Sequence, residues 1–374
     1  MMPFSESHNR LRSLFLSQWK FNPYQKLLVR HLRALGVEIA ERSTRKAFLG
    51  PALFRYKPDI LHLQNILPLT RKKNGLLVVL DLLLFLFQLI FLRAVGVKIV
   101  WTAHDLRSHE GKNAGLERVA TILIGRMAHA IIAHCEKARA ELLKQPLIGR
   151  EDKVLVVPHG HYIGYYDNNI SRARARMVLG LPEDSFTFLL LGWIGAYKGI
   201  VELIDAFGRM RSDKAYLVVA GNSPDPKFTD MIQQKVAWQD QIKFIPGFIP
   251  ENEIQVYMNA CDVVVLPYRD ILTSGVVLLA MSFSRPCVAV RRGCIDEVLN
   301  DSGAFLYEPH SEEGLLRAME CAIDRRDELA GMGRYNQERA HQWGWDQVAQ
   351  RTLAVYRRVL GDKSVAAFST EERK

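Results

Sequence analysis

Two glycine-bearing loops in the second half of the chain carry the residue types that hold an anion. In GWIGAYKG, residues 192–199, Gly192 and Gly199 let the backbone approach a ligand closely and Lys198 supplies a mobile cation. The helical pattern 200–209 that follows offers free N–H groups at the positive end of its dipole. This is the chemistry of a diphosphate cradle. The segment fits neither G-x-G-x-x-G nor G-x-x-x-x-G-K-[ST], so the dinucleotide fingerprint and the nucleoside-triphosphatase loop are both absent. The second loop, PYRDILTSG at 267–275, sets Tyr268, Arg269 and Asp270 ahead of Thr273, Ser274 and Gly275, which open the helical run 276–282. Hydroxyls, successive N–H groups and Arg269 make a second anion cradle, although an ordinary capped helix uses the same residues. In a third loop, RRGCIDE, Glu297 or Asp296 could hydrogen-bond ribose or sugar hydroxyls; turn chemistry explains it almost as well.

The first half has its own candidates. WTAHD, residues 101–105, follows a strand-like run, so His104 and Asp105 project from a strand end, where either could act as a general base or orient a sugar. In VPHGHY, residues 157–162, His159 and His161 are two apart and point to opposite faces of an extended chain. A two-His metal site is therefore not expected, and the pair could touch a ligand or order a hinge. Asn22, Pro23 and Tyr24 form the first loop after the first strand, where Asn–Pro is also ordinary turn chemistry.

These loops need a scaffold. Short β-branched runs alternate with longer helical patterns, the signature of parallel sheets made of βαβ units. Strands are expected at 13–16, 60–63, 97–102, 130–134 and 154–157, and again at 186–192, 215–221, 242–245, 263–267 and 286–290. The fold class is α/β with two Rossmann-like doubly wound domains, 1–165 and 166–345. A C-terminal helix, 346–362, is expected to cross back to the first domain, with a loose tail at 363–374. Ligands bind beyond the carboxyl ends of such strands, so two facing domains imply a cleft between them.

Composition narrows the partners. The 374 residues, 48% of them hydrophobic, exclude fibrous and disordered classes. Five cysteines without a CxxC pair suit a reducing, cytosolic setting, and residues 1–12 lack the apolar region of a signal peptide. The net charge of +10 is uneven: residues 1–165 hold 25 Lys and Arg against 12 Asp and Glu, and the remainder 25 against 28. No nucleic-acid-binding motif accompanies the basic half, which leaves an anionic membrane or a phosphorylated substrate. Residues 75–92 (GLLVVLDLLLFLFQLIFL) hold one charge, Asp81. The strand expected only four residues later argues against a membrane span and leaves two readings, a core helix or a helix in the bilayer surface beside Arg71, Lys72 and Lys73.

With these loops in hand, the chain resembles the GT-B glycosyltransferases, most closely the family-4 group that builds bacterial surface glycans. The resemblance rests on KPDILHLQN, VKIVWTAHD, VPHGHY, GWIGAYKGIVELIDAF, IKFIPGFIPENEIQVYMNACDVVVLPY and LTSGVVLLAMSFSRPCVAV, in that order. It implies that the loop 192–199 holds a nucleotide diphosphate, that 267–275 lies beside the donor sugar and phosphates, and that His104 faces the sugar. Two departures stand out. Ala196 and Gly195 occupy the stretch where most members carry an Arg, so one phosphate contact must come from elsewhere, with Arg269 the candidate. Ile271 and Leu279 occupy the positions of a pair of Glu residues, which puts the usual retaining mechanism in doubt and leaves room for an inverting one with Asp105 or another first-domain carboxylate as base.

The implied activity is transfer of a sugar from a nucleotide-diphosphate sugar to a hydroxyl of a glycan or lipid-linked acceptor. Lys198, Arg269 and the helix N-termini at Gly199 and Gly275 would stabilise the departing diphosphate, so neither metal nor cofactor is expected. The alternatives are a sugar-nucleotide epimerase and a non-catalytic nucleotide- or glycan-binding relative. A cytoplasmic protein, peripheral on the inner face of an anionic membrane and not bound to nucleic acid, is the expected setting.

Overall fold

A computed structural model describes residues 10–17, 22–44, 47–64, 75–105, 114–145, 150–210, 212–311 and 313–362. The basic run Arg71 to Lys73 and the tail from 363 lie outside the described residues. The chain forms two compact units, residues 1–159 with 345–374, and residues 160–344.

The first unit is built on a six-stranded sheet: β1 (Arg12–Leu16), β2 (Glu38–Arg42), β3 (Ile60–Leu63), β4 (Lys98–Thr102), β5 (Ala130–Ala133) and β6 (Val154–Val156), in the order β2-β1-β3-β4-β5-β6. All its pairings are parallel. Inner strands such as ILHL and AIIA are wholly buried, as parallel strands covered on both faces must be. β2 is different. Its sequence EIAER is partly exposed at the sheet edge, and the charges that blunt an edge also hide it from a search for apolar runs.

The second unit repeats the plan with β7 (Phe186–Leu191), β8 (Ala215–Gly221), β9 (Ile242–Pro246), β10 (Val263–Leu266), β11 (Cys287–Val290) and β12 (Ala304–Tyr307), in the order β12-β11-β10-β7-β8-β9. The chain winds one way from β7 and the other way from β10, and these two strands pair directly. Loops 192–199 and 267–275 therefore open side by side at the reversal of strand order, the place where an open α/β sheet leaves a crevice. In the first unit the reversal falls between β1 and β3. Asn22 and Gln64 follow these strands.

Helix Gly75–Ala94 connects β3 to β4. Because those strands are hydrogen-bonded neighbours, both helix ends return to one sheet, which rules out a span. One face packs inward through Val78, Leu82, Phe85, Leu89 and Leu92, and buried Gln88 accepts from the N–H groups of Phe48 (2.8 Å) and Leu49 (3.1 Å). The opposite face exposes Leu76, Leu80, Leu83, Leu84, Phe87 and Ile90. Neither core nor surface describes the whole helix; it is apolar on both sides and buried on one.

A buried ion pair stiffens the second unit. Arg176, 1% exposed, donates to Asp262 (2.7 Å) and to the carbonyls of Ala260, Glu183 and Ser185, while Asp262 also accepts from Thr187 N–H (2.7 Å). Removing one partner strands the other charge. Asp262→Ala should cost about 3–5 kcal/mol in denaturant unfolding; a loss below about 1 kcal/mol would show that the guanidinium is satisfied by the carbonyls alone.

Candidate functional site

At the carboxyl ends of β7, β8, β10 and β11, backbone packs directly on backbone. Gly199 (φ +69°) follows the turn Ala196–Lys198 and starts helix Ile200–Arg209, and a Cβ there would lie 1.9 Å from the Pro267 carbonyl oxygen. Gly221 (φ +144°) meets Gly192 in the same way at 1.6 Å, and Gly293 (φ +55°) meets Ile271 and Leu272 at 2.5 and 2.7 Å. Two hydrogen bonds complete the lacing, Arg269 N–H to Tyr197 O (2.8 Å) and Cys294 N–H to Leu272 O (2.9 Å). Only glycine permits such contacts.

Upon this floor Lys198 is 5% exposed, with Nζ 4.0 Å from the centre of the Tyr268 ring and 5.4 Å from that of Tyr197. The aromatic faces favour the cation without neutralising it. Tyr268 is itself buried and its hydroxyl lies 3.1 Å from Ser274 Oγ. Ser274 holds the N-cap position of helix Gly275–Ser282, yet its side chain caps no N–H of that helix. The positive end of the helix dipole thus faces Thr273 and Ser274, and the Ser274 side chain does not cap it.

In the first unit, four rings gather around buried Tyr24: His159 (4.7 Å between centroids), His104 (4.9 Å), His134 and Trp345 (each 5.3 Å). A hydrogen-bond chain runs through them. Tyr356 Oη lies 2.5 Å from His62 Nδ1; His62 Nε2 lies 2.7 Å from Thr102 Oγ1; the Gln64 amide bridges His62 and His104 at 3.2 Å each; His104 Nδ1 lies 3.2 Å from His134 Nε2; and His134 Nδ1 lies 2.9 Å from the Val157 carbonyl. Burial holds His62 down at about 3 and His134 at about 4. His104 is lowered well below the usual imidazole range by burial and by its neighbours His134, His159 and His62. All three rings are neutral at pH 7.

Residues 171–339 match the family of glycosyl transferases group 1. The GDP-mannose:glycolipid 4-beta-D-mannosyltransferase of Xanthomonas campestris pv. campestris is 26% identical over 329 residues, 87% of this chain and 85% of that one. Among solved structures, sucrose-phosphate synthase from Thermosynechococcus elongatus aligns with a TM-score of 0.73 at 18% identity, over 94% of this chain and 99% of that one. Anabaena HepE in complex with UDP-glucose aligns at 0.74 and 17% identity, over 92% of this chain and 100% of that one. The chain is a glycosyltransferase. Its two parallel sheets have the GT-B fold that these solved structures share.

Of the residues singled out in the sequence, the glycosyltransferase brings Gly192, Lys198, Gly199, Tyr268, Arg269, Thr273, Ser274 and Gly275 to one rim. Arg269 is not presented to the rim alone: it is ion-paired with Glu202 of helix Ile200–Arg209, so a phosphate would have to compete with a carboxylate. Asp270 is exposed beside it. Asp296 pairs with Arg291 (3.0 Å) and Glu297 accepts at its backbone carbonyl from Arg339 (3.1 Å). Asn22 is an N-cap, accepting from Tyr24 N–H at 3.0 Å. His159 and His161 part company: His159 joins the first unit's rings, and His161 lies in the second unit, 5.7 Å from His341, accepting from Ile163 N–H. Among the described residues no group of three or more His, Cys, Asp or Glu is placed to hold a metal.

Sequence reasoning passed over Glu202, His62, Gln64, His134 and Tyr356. Signals existed for two of them, because His62 and Gln64 alternate along ILHLQ and share a face of β3, and for a third, because His134 follows β5 as His104 follows β4. The buried rings have a pH signature. Their pKa is lower folded than unfolded, so the unfolded chain binds more protons between about 4 and 6.5, and stability falls as pH drops below 6.5. At pH 5, His62 and His134 should each have cost about 2 kcal/mol relative to pH 7.5. Urea unfolding at the two values tests this, and a His134→Asn variant should lose one share of the difference. Equal stability at both values would mean the rings are not held neutral.

Proposed function

We propose that the protein transfers a sugar from a nucleotide-diphosphate sugar, bound at the rim of the second unit, to a hydroxyl of a glycolipid or lipid-linked glycan. The observation that carries this is the laced rim: Lys198 on the Tyr268 face and two helix N-termini converge where strand order reverses, which is an anion site that needs no metal. The Xanthomonas relative is named for a GDP-mannose donor and a glycolipid acceptor, and HepE binds UDP-glucose. A mannosyl donor is the reading we favour.

Ile271 and Leu279 are both buried, so no carboxylate from this pair reaches a sugar hydroxyl. That favours inversion, and the relative forms a 4-beta-D linkage. In the first unit both ring nitrogens of His104 are held by neighbours, which leaves Asp105 as the general base of that loop and His104 as a neutral ring facing the sugar. Lys198→Ala should abolish the thermal shift given by the donor nucleotide, and Asp105→Asn should lower kcat by about 10²–10⁴ with donor binding intact. Acceptor-dependent release of nucleoside diphosphate supports transfer. Sugar conversion without acceptor would instead support an epimerase, and binding without turnover a non-catalytic relative.

The finer setting is a membrane surface. The first unit holds 31 Lys and Arg against 16 Asp and Glu, the second 19 against 24, and the exposed stripe of helix Gly75–Ala94 belongs to the basic unit. An amphiphilic face joined to positive charge binds an anionic bilayer from one side. The turn Pro51–Tyr56, which follows the Phe48 and Leu49 bonded to Gln88, adds Phe54 at 84% exposure beside Arg55. In flotation with vesicles containing anionic lipid, the protein should rise with the lipid at low salt, and Leu83→Glu with Phe87→Glu should leave it behind. Complete recovery of the unsubstituted protein in the lipid-free fraction would overturn this placement.

A further inference from the structure

We propose that Tyr356, His62, Gln64 and His134 are positioning residues that hold His104 neutral, with its proton on Nδ1, through a chain in which every donor points from the C-terminal helix Trp345–Leu360 towards the Val157 carbonyl. The role assigned to His104 and Asp105 rests on the function proposed above; the proton arrangement itself does not.

The direction follows from counting donors. The Val157 carbonyl can only accept, so His134 carries its proton on Nδ1. Neutral His134 then accepts at Nε2, which puts the proton of the next bond on His104 Nδ1. As placed, the Gln64 amide has its NH₂ towards His62 and its oxygen towards His104; neutral His104 accepts at Nε2, so the two ends of this amide must be exchanged, with the NH₂ to His104 and the oxygen to His62. His62 must then hold its proton on Nε2, donating to that oxygen and to Thr102 Oγ1, and accept the Tyr356 hydroxyl proton at Nδ1. One proton per ring satisfies every position. The opposite amide orientation would place His104's proton on Nε2 and require protons on both nitrogens of His134, a cation in a ring only 5% exposed.

Burial enforces the neutral arrangement. His62, Thr102 and Tyr356 have no exposed surface and Gln64 has 3%. The titratable groups facing His104 and His134 are His62, His159, Tyr24 and Asp105; Asp105 favours an imidazolium at His134, against the burial that disfavours one. A charged ring beside Asp105 would pair with the carboxylate and weaken it as a base, and would repel the positive charge that develops on a sugar as its bond to phosphate breaks. A chain with all donors aligned resists that protonation, because a proton added at His104 Nε2 must turn the Gln64 amide and reverse the His62 and Tyr356 links behind it.

Nitrogen-15 NMR of the whole protein tests the chain. The His104 ring should give the Nδ1–H tautomer, neutral from pH 5.5 to 8. Tyr356→Phe, nearly isosteric, removes the donor that fixes His62 and should yield mixed tautomers at His104, with kcat lowered about tenfold and donor KM unchanged. Gln64→Glu offers His104 only acceptors and should put a proton on its Nε2. An unsubstituted protein with His104 charged or protonated on Nε2 at pH 7 would overturn the proposal, as would Tyr356→Phe or Gln64→Glu spectra with unchanged His104 signals. Full kcat in Tyr356→Phe despite a changed tautomer would overturn the positioning role. Absence of acceptor-dependent transfer in the unsubstituted protein would defeat the proposed function, while the His104 tautomer would still decide the chain.

Discussion

Everything at the rim of the second unit depends on carbonyl oxygens standing where a side chain would begin. At Gly199, Gly221 and Gly293 a Cβ would lie between 1.6 and 2.7 Å from a neighbouring loop's carbonyl oxygen, well inside contact distance. These approaches bring the ends of β7, β8, β10 and β11 together without side chains between them, so N–H groups and the start of helix Ile200–Arg209 come to the surface in fixed positions. A diphosphate needs many donors held still more than it needs bulk positive charge. That is how a unit with 19 cations and 24 anions would hold the diphosphate proposed for its rim.

The first unit solves a different electrostatic problem. Its ring cluster is polar, buried and uncharged, and a buried polar network stabilises only when every member is satisfied. Three imidazoles, an amide and two hydroxyls meet that condition with one proton per ring, provided Tyr356 closes one end and the Val157 carbonyl the other. The C-terminal helix is therefore more than a brace laid on helix Pro23–Ala34: Tyr356 enters the polar network that runs through His104, the residue before Asp105. Its place in the first unit, after the chain has completed the second, makes the network depend on a helix that follows the whole of the second unit in the chain.

How much of this could be read from the sequence depended on whether the signal was local. Buried parallel strands announce themselves, and β3 and β8 lie at the residues expected, because apolar β-branched runs have no other use at that length. Two edge strands, β2 and β12, were passed over; EIAER has the charges of an edge and AFLY is only four residues long. The glycine loops were legible as loops, and the pairing of β7 with β10 that unites them was inferable from strand order. Long-range pairs were not. Nothing in GIVELIDAF says that Glu202 will meet Arg269, 67 residues later, and nothing near Tyr356 says that it will meet His62, 294 residues earlier.

Charge and apolar surface converge on the same unit, and that coincidence has a physical consequence. An apolar stripe on a neutral or acidic surface would invite self-association, since water is the only alternative partner. On a unit with a surplus of 15 cations, like-charge repulsion opposes pairing of two copies, whereas an anionic bilayer is attracted by the charge and receives the stripe. The second unit, with its surplus of five anions, is repelled by the same surface. On the membrane reading proposed above, a bilayer would therefore attract the first unit by charge and stripe and repel the second by charge.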